Sequence, residues 1–478
     1  MRRAVAILVL GVLGVALVAL VRLEPGVAIQ VGAGLTARTV CSLHFHSGMD
    51  PERIMGDYVD HLLGPASALV RVDVDRASGV VDVTAAVVGR ARAIRREGVG
   101  CTLLAGADEE RLRRYRDPGR LPPLASDLPW PRGGAPPAAP PPAGLAAAVE
   151  EAFAEPEGRP GRLRQTTAVI VAHRGRLIAE RYAPGVDAST PLLSWSMAKS
   201  VVAALVGVAV LEGRIDLAAP APVPEWRGEA DPRAAITTDM LLRMSSGLAF
   251  DEVYGAVNDV SRMLFTQADY GAFAAGFPLA HPPDTAWSYS SGTSNILARI
   301  LRDLFAGDLP ALVRWSRERL FDPVGMRTAV FEVDASGSFV GSSLVFASAR
   351  DWARFGQLHL QGGVWEGRQI LPEGWGARVS TPTPHAPEGR YGAGWWLNAG
   401  EPGSPEQRMW PDLPRETYAA RGMSGQYVVV VPSAELVVVR LGLAQAEGDA
   451  LHGIEPLVRA ALDAVGHPAD RTDESPVP

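Results

Sequence analysis

Ser194-Trp195-Ser196-Met197-Ala198-Lys199-Ser200 contains the one lysine of a 478-residue chain whose 46 basic residues are otherwise all arginine. A chain that uses arginine wherever a surface cation serves keeps a lysine where arginine fails. An ammonium can give up its proton when it is desolvated or set beside another cation, whereas a guanidinium stays charged at any ordinary pH. Lys199 is therefore a candidate base. Ser196 stands three residues before it, and residues 200–213 are apolar nearly all round and close on Gly213, which reads as a buried helix with Ser196 near its first turn. Residues three apart on a helix share a face, so the hydroxyl and the amine are brought together. The N–H groups at the helix start favour negative charge developing on the serine. A capping serine is common without any catalysis; the solitary lysine lifts this tetrad above that ordinary explanation.

Working outward, a 47% apolar composition predicts at least one large core and two unequal units. The net charge of -7 offers no electrostatic footprint for nucleic acid, so no nucleic-acid partner is expected. Residues 4–21 form an uncharged apolar run behind Arg2 and Arg3, long enough to span a bilayer. Residues 1–25 thus read as an N-terminal transmembrane helix, with everything after Arg22 outside the cytoplasm, in a periplasm or on the cell surface. A cleaved signal peptide competes with this, but no clear small-x-small site follows the run. In such a compartment the two cysteines, Cys41 and Cys101, read as a disulfide, with two buried free thiols as the alternative.

Residues 69–75 and 80–88, separated by Arg76-Ala77-Ser78-Gly79, read as a hairpin, and residues 26–116 as a small disulfide-linked, β-containing subdomain. His44 and His46 fall on alternate positions of one predicted strand face; with no acidic or cysteine ligands beside them, no metal site is expected. Residues 117–144 are Pro-rich and mark a linker, or an arm lying on a neighbour. The large unit, 145–466, opens with a helix at 145–153 and a hairpin at 167–173 and 176–182, and ends with a hairpin at 426–431 and 436–441 and a helix at 453–465. Strands at both ends with helices between predict an α/β fold of the α+β type: an antiparallel sheet assembled from both termini, flanked by helices and carrying an all-helical insert. The polar tail, 467–478, reads as disordered.

A serine nucleophile with a lysine base still needs a proton path to the leaving group, and a phenol is a suitable relay. Tyr289 lies in a polar loop ahead of a predicted helix at 295–305. Together with Ser196-Met197-Ala198-Lys199, the chain carries in order Asp239-Met240-Leu241-Leu242-Arg243-Met244-Ser245-Ser246-Gly247-Leu248, Pro283-Asp284-Thr285, Tyr289-Ser290-Ser291, Asp322-Pro323-Val324-Gly325-Met326, Ala349-Arg350-Asp351-Trp352, Tyr391-Gly392-Ala393-Gly394-Trp395-Trp396 and Arg421-Gly422-Met423-Ser424-Gly425-Gln426. This series resembles the serine β-lactamase and penicillin-binding-protein superfamily, in its class C-like branch of esterases, D-aminopeptidases and 6-aminohexanoate-oligomer hydrolases, over roughly residues 145–465.

The resemblance implies that Ser196 attacks a carbonyl, Lys199 takes or shares its proton, and Tyr289 passes that proton to the leaving group. It also implies an oxyanion held by the backbone N–H of Ser196 and of a residue near Gln426, with Ser291, Ser424 and Gly425 lining the substrate site. Tyr254 would sit on a loop over the pocket, by likeness to the oligomer hydrolases. Two departures matter. The usual Tyr-x-Asn is Tyr289-Ser290-Ser291, and the usual Lys-Thr-Gly is Met423-Ser424-Gly425, with no cation at its first position unless Arg421 substitutes. Ester or small-amide hydrolysis is therefore favoured over β-lactamase or D,D-peptidase activity. Trp195, Trp287, Trp395 and Trp396 flank the motifs as pocket walls or as core. No Gly-x-Ser-x-Gly elbow, His-Glu-x-x-His helix or phosphate loop is present, and no cofactor is expected. An inactive member binding a cell-envelope ligand is the alternative from another class; the oligomeric state is not legible.

Overall fold

Helix α1 (Pro25–Ser47) starts with proline in its first turn and stops at Gly48, whose φ of 67 lets its N–H reach back to the Leu43 carbonyl. The computed structural model describes residues 24–156, 163–228, 230–401, 403–445 and 448–467. The expected anchor over residues 4–21 lies outside them, and so does nearly all of the tail expected to be disordered. Among the described residues no helix is long and apolar enough to cross a membrane.

His44 and His46 were expected on a strand, and α1 corrects this: both stand in its last turn. Residues 36–43 are all buried, so the helix has no polar face to mark a period of 3.6, and its Thr and Gly residues weaken the helical signal further. Gly34 lets α1 lie directly on the helix Asp259–Thr266, since a Cβ there would stand 2.1 Å from the Phe265 carbonyl oxygen.

Beside α1 stands an antiparallel sheet in the order β1 (Val70–Asp75), β2 (Val80–Ala85), β3 (Gly89–Arg96), β4 (Gly100–Leu103). The β1–β2 hairpin pairs Val70 with Ala85 and Asp75 with Val80. Its second strand stops before 88 because Ala86 and Val87 turn through positive φ, 46 and 68. A disulfide joins Cys41 on α1 to Cys101 on β4. One buried carboxylate gathers several of the ties between this small unit and the large one. Glu332 accepts from Arg38 Nε (3.0 Å), Ser42 Oγ (2.9 Å) and the Cys101 N–H (2.8 Å), and His46 Nε2 lies 3.1 Å away. Burial alone would raise its pKa; Arg38 and His46 outweigh burial and hold it below the usual carboxylate value.

The Pro-rich stretch lies as an arm on the large unit: Trp130 is buried, and Arg354 donates to the Pro131 carbonyl (2.9 Å) and the Gly133 carbonyl (2.7 Å). Helix α2 (Ala143–Phe153) follows, then the hairpin β5 (Thr166–His173) and β6 (Arg176–Tyr182). The insert carries helices α3 (Ala198–Leu211), α4 (Ser291–Asp303) and α5 (Ala349–Leu360). The insert was expected to be all-helical, and the structure corrects this. Strands β7 (Leu192–Leu193), β8 (Val330–Phe331) and β9 (Val345–Ala347) form a small sheet, and β10 (Val364–Trp365) and β11 (Arg368–Gln369) form a ribbon. Strands of two or three residues are too short to show alternation in sequence.

Strands β12 (Trp396–Leu397), β13 (Tyr418–Gly422), β14 (Gln426–Val431) and β15 (Leu436–Gly442) complete the main sheet, ordered β12-β13-β14-β15-β5-β6. Val439 of β15 pairs with Ile170 of β5, so the two terminal hairpins share one antiparallel sheet. Val429 and Val438 face a core with Val149 of α2 and Leu457 of the last helix, α6 (Ile454–Ala464). On the other face α5 presses Gly356 against Val428 and Val437. With helices on both faces, the β14 strand is buried at every position and reads as an unbroken Val run.

Candidate active site

Ser196 sits in a 3-10 turn (Trp195–Met197) that leads straight into α3. The helix is buried on nearly every side, and two glycine contacts fix its place: Gly207 packs on Trp375, and Ser200 Oγ donates to the Gly394 carbonyl (2.7 Å). Trp195 has φ 43, a conformation that side chains seldom adopt, so the backbone is strained next to Ser196.

Lys199 Nζ donates to Ser196 Oγ at 3.0 Å, to Ser291 Oγ at 3.1 Å and to the Ser342 carbonyl at 3.2 Å. The amine also stands 4.6 Å from the centre of the Tyr289 ring. Lys199 is 3% exposed, whereas Ser196 is only part-buried, so the hydroxyl faces a reactant while the amine behind it is shielded. The predicted trio of Ser196, Lys199 and Tyr289 is thus brought to one place, with Ser291 as its fourth member.

Sequence reading missed Glu252. Its carboxylate accepts from Ser291 Oγ and from the Ser291 N–H, both at 2.6 Å. Ser291 opens α4, so the carboxylate also caps the positive end of that helix. Burial raises the Glu252 pKa, and Lys199 and Ser291 act against that rise. The resulting chain runs Glu252, Ser291, Lys199, Ser196. Nothing in Phe250-Asp251-Glu252-Val253-Tyr254 distinguishes this glutamate from an exposed loop acid. Tyr254 belongs to the same loop: its ring is 43% exposed while its hydroxyl reaches Ser291 and Ser343, and burial and Glu252 raise its pKa.

Tyr289 stands in a box of aromatic rings, with centroids at 5.2 Å (Trp396), 5.7 Å (Tyr391) and 6.5 Å (Trp287). Trp287 and Trp396 are therefore site walls, whereas Trp395 is fully buried core, stacked on Phe355 at 5.9 Å. Trp195 donates its ring N–H to the Tyr58 hydroxyl of the N-terminal unit.

The end of β13 abuts the Ser196 turn. A Cβ on Gly422 would stand 2.2 Å from the Ser194 carbonyl oxygen and 3.1 Å from the Ser196 nitrogen, so only glycine allows this approach. Of the implied binding residues, Gln426 turns its amide back into its own turn, and the carbonyls of Ser424 and Gly425 are held from the same side. Gln426 Nε2 donates to the Met423 and Ser424 carbonyls (3.2 and 3.1 Å), Arg440 Nη1 to the Gly425 carbonyl (2.6 Å), and the Ala444 N–H to the Ser424 carbonyl (3.0 Å). They hold the β13–β14 turn from the β15 side, because a three-residue turn at positive φ (Ser424 60, Gly425 82) must satisfy its carbonyls locally. Arg421 is paired with Asp449 and lies 5.3 Å from the Trp396 ring centre. Among the described residues no group of three or more His, Cys, Asp or Glu side chains could hold a metal.

A β-lactamase family model matches residues 146–456. The chain belongs to the β-lactamase family. A curated relative, the 6-aminohexanoate-dimer hydrolase of Paenarthrobacter ureafaciens, is 26% identical over 337 residues, 63% of this chain and 79% of the relative. Solved structures share the fold. A candidate 6-aminohexanoate-dimer hydrolase from Bacillus anthracis has a TM-score of 0.54 at 23% identity, covering 74% of this chain and 89% of that one. A penicillin-binding-protein homologue from Caulobacter crescentus has a TM-score of 0.51 at 17% identity, covering 68% and 99%. As a β-lactamase-family protein, the chain is a serine hydrolase.

Proposed function

We propose that the protein hydrolyses a small-molecule ester or amide through an acyl-enzyme on Ser196. The observation that carries this reading is the 3.0 Å contact between Lys199 Nζ and Ser196 Oγ in a chain with no other lysine. Ser196 Oγ bonds to the substrate carbonyl carbon as Lys199 takes its proton, and the oxyanion is met by the Ser196 N–H and a backbone N–H just beyond Gly422. Tyr289, against the Lys199 amine, passes the proton to the leaving alcohol or amine as its bond to carbon breaks. Water then adds to the acyl carbon along the same path, releasing the acid and restoring Ser196. Ser291 keeps Lys199 aimed, and Glu252 keeps Ser291 aimed.

The pairing of Arg421 with Asp449 favours an ester or amide over a β-lactam, because the cation that would meet a substrate carboxylate is already neutralised. The Cys41–Cys101 disulfide agrees with an oxidising compartment, and we assign residues 4–21 as the anchor that holds the catalytic unit outside the cytoplasm. Extraction of the native protein from membranes by salt alone, without detergent, would refute the anchor.

The test of the function is the intact mass of the protein after treatment with a fluorophosphonate, with Ser196→Ala beside it. One adduct, lost in the variant, is expected. No adduct on folded protein, or an adduct that persists in Ser196→Ala, would refute the nucleophile.

A further inference from the structure

We propose that the acyl part of the substrate is a long unbranched hydrocarbon chain, held in a cavity that the N-terminal unit builds against the catalytic site. This inference rests on the acyl-enzyme reading above. The cavity measures about 390 Å³, within the range of ~300–1,000 Å³ usual for small-molecule sites. Ile29, Gly32 and Leu35 of α1 form one wall, with Leu62 and Leu63 beside them. Trp195, Phe265 and Met423 form the facing wall, and Tyr254, Gly255 and Ala256 close one side. Nearly every group in this lining is a hydrocarbon, so a chain buried here gains the free energy of leaving water and loses no hydrogen bond.

The position of the cavity says which half of the substrate enters it. Trp195 immediately precedes the nucleophile, and Met423 immediately follows Gly422, whose backbone presses on the Ser196 nitrogen. Ser196 itself does not line the cavity, which meets the site through its neighbour Trp195, through Met423 and through Tyr254, whose hydroxyl reaches Ser291; Tyr289 and the rings of Trp287, Tyr391 and Trp396 around it lie outside the lining. The leaving group must lie near the phenol that protonates it. The cavity therefore takes the acyl side. Its α1 wall and the 62–86 segment lie before residue 146, where the family match begins, and the facing wall lies within that match.

The rim is also apolar. Leu69, Val87 and Val88 are 61%, 83% and 74% exposed, and they are neighbours because the Ala86 N–H donates to the Leu69 carbonyl (3.0 Å). Val87 holds φ 68, a conformation poorly suited to a β-branched residue, so its outward placement is set by the turn around it. A Cβ on Gly89 would stand 2.5 Å from Ile29 Cγ2, which fixes that turn against the start of α1. Val253, 66% exposed, stands beside Tyr254 on the other lip. Exposed apolar side chains gathered at the mouth of an apolar cavity suit a substrate that is itself apolar.

The test compares kcat/KM for p-nitrophenyl acetate, butyrate and octanoate, each below its aggregation limit. The account expects a gain of about threefold to fourfold per methylene until the cavity fills. Octyl acetate, with the chain on the alcohol, should show no such gain. In Gly32→Leu the new side chain enters the cavity, where the nearest atom to a Cβ is Leu63 Cδ2 at 3.7 Å, and leucine favours a helix over glycine. The octanoate-to-acetate ratio should fall at least tenfold, and likewise in Ala28→Phe, made in case the first variant fails to fold. Presenting the octanoyl ester as monomers and in phosphatidylcholine vesicles distinguishes a dissolved source from a bilayer source of the same chain. A flat chain-length series in an enzyme that turns over acetate and labels at Ser196 would overturn the inference and leave the hydrolase reading standing. So would wild-type ratios in both variants, or a gain confined to octyl acetate. Absence of turnover and of labelling would instead remove the acyl-enzyme reading and this inference with it.

Discussion

Glu252 grips Ser291 at two points, its oxygens accepting the side-chain hydroxyl and the backbone N–H at 2.6 Å each. Ser291 in turn receives the Lys199 amine, so a carboxylate on a loop governs where the candidate base points. Replacing Glu252 by Gln removes the charge and puts an amide nitrogen beside one of those donors. We predict a loss in kcat/KM of about 10–100-fold, the size of a charged hydrogen bond. Because the Glu252 pKa is raised in the folded state, the native protein binds this proton more tightly than the unfolded chain does. The wild type should therefore lose stability relative to Glu252→Gln as pH rises through that pKa, measured by urea denaturation across pH.

Gly422→Ala should cost activity far more than its single methyl implies. The new Cβ would sit 2.2 Å from the Ser194 carbonyl oxygen, so the Ser196 turn must move. A shift of about 1 Å at a reacting group costs on the order of 10²-fold. The rate of fluorophosphonate labelling should fall with kcat, and wild-type rates for both would contradict the proposed approach.

Glu332→Gln should cost about 3–5 kcal/mol at neutral pH, because Arg38 is left buried without its counter-charge. Glu332 has a lowered pKa, so its contribution is complete above the unfolded carboxylate pKa and is lost as pH falls through the folded one. The deficit of the variant, measured by chemical denaturation, should therefore be constant near neutrality and shrink in acid.

Reducing the Cys41–Cys101 disulfide, which closes a separation of 60 residues, should lower stability by about 4 kcal/mol. Comparing denaturation midpoints with and without reductant checks this, with Cys41→Ala/Cys101→Ala as the permanent form.

The parts of the molecule that were legible in sequence are those with local signatures. The Val runs of β14 and β15, and the apolar run of β5 joined to β6 across the Arg174-Gly175 turn, marked the strands that meet in the main sheet, and the solitary Lys199 marked the nucleophile turn. Helix α1 hid because burial on all sides erases the amphipathic period. Glu252 hid because its partner, Ser291, is 39 positions away and the contact depends on how the loop folds back. The approach of Gly422 to Ser194 and the cavity between Gly32 and Met423 are likewise products of tertiary packing, invisible to any window of residues.

Lys199→Arg should lower kcat by about 10²–10⁴-fold, the usual worth of a positioned general base, since a guanidinium does not accept a proton at ordinary pH. Near-UV circular dichroism like that of the wild type would show that the core around α3 is intact. An active Lys199→Arg enzyme would exclude the base role.

The account stands or falls on whether turnover passes through Ser196. Rapid quenching of the protein during p-nitrophenyl acetate hydrolysis, followed by peptide mass analysis, reads this directly. An acetyl group on the peptide carrying Ser196, absent from Ser196→Ala, is the predicted result. Acetyl on another residue, or wild-type turnover by Ser196→Ala, would contradict it.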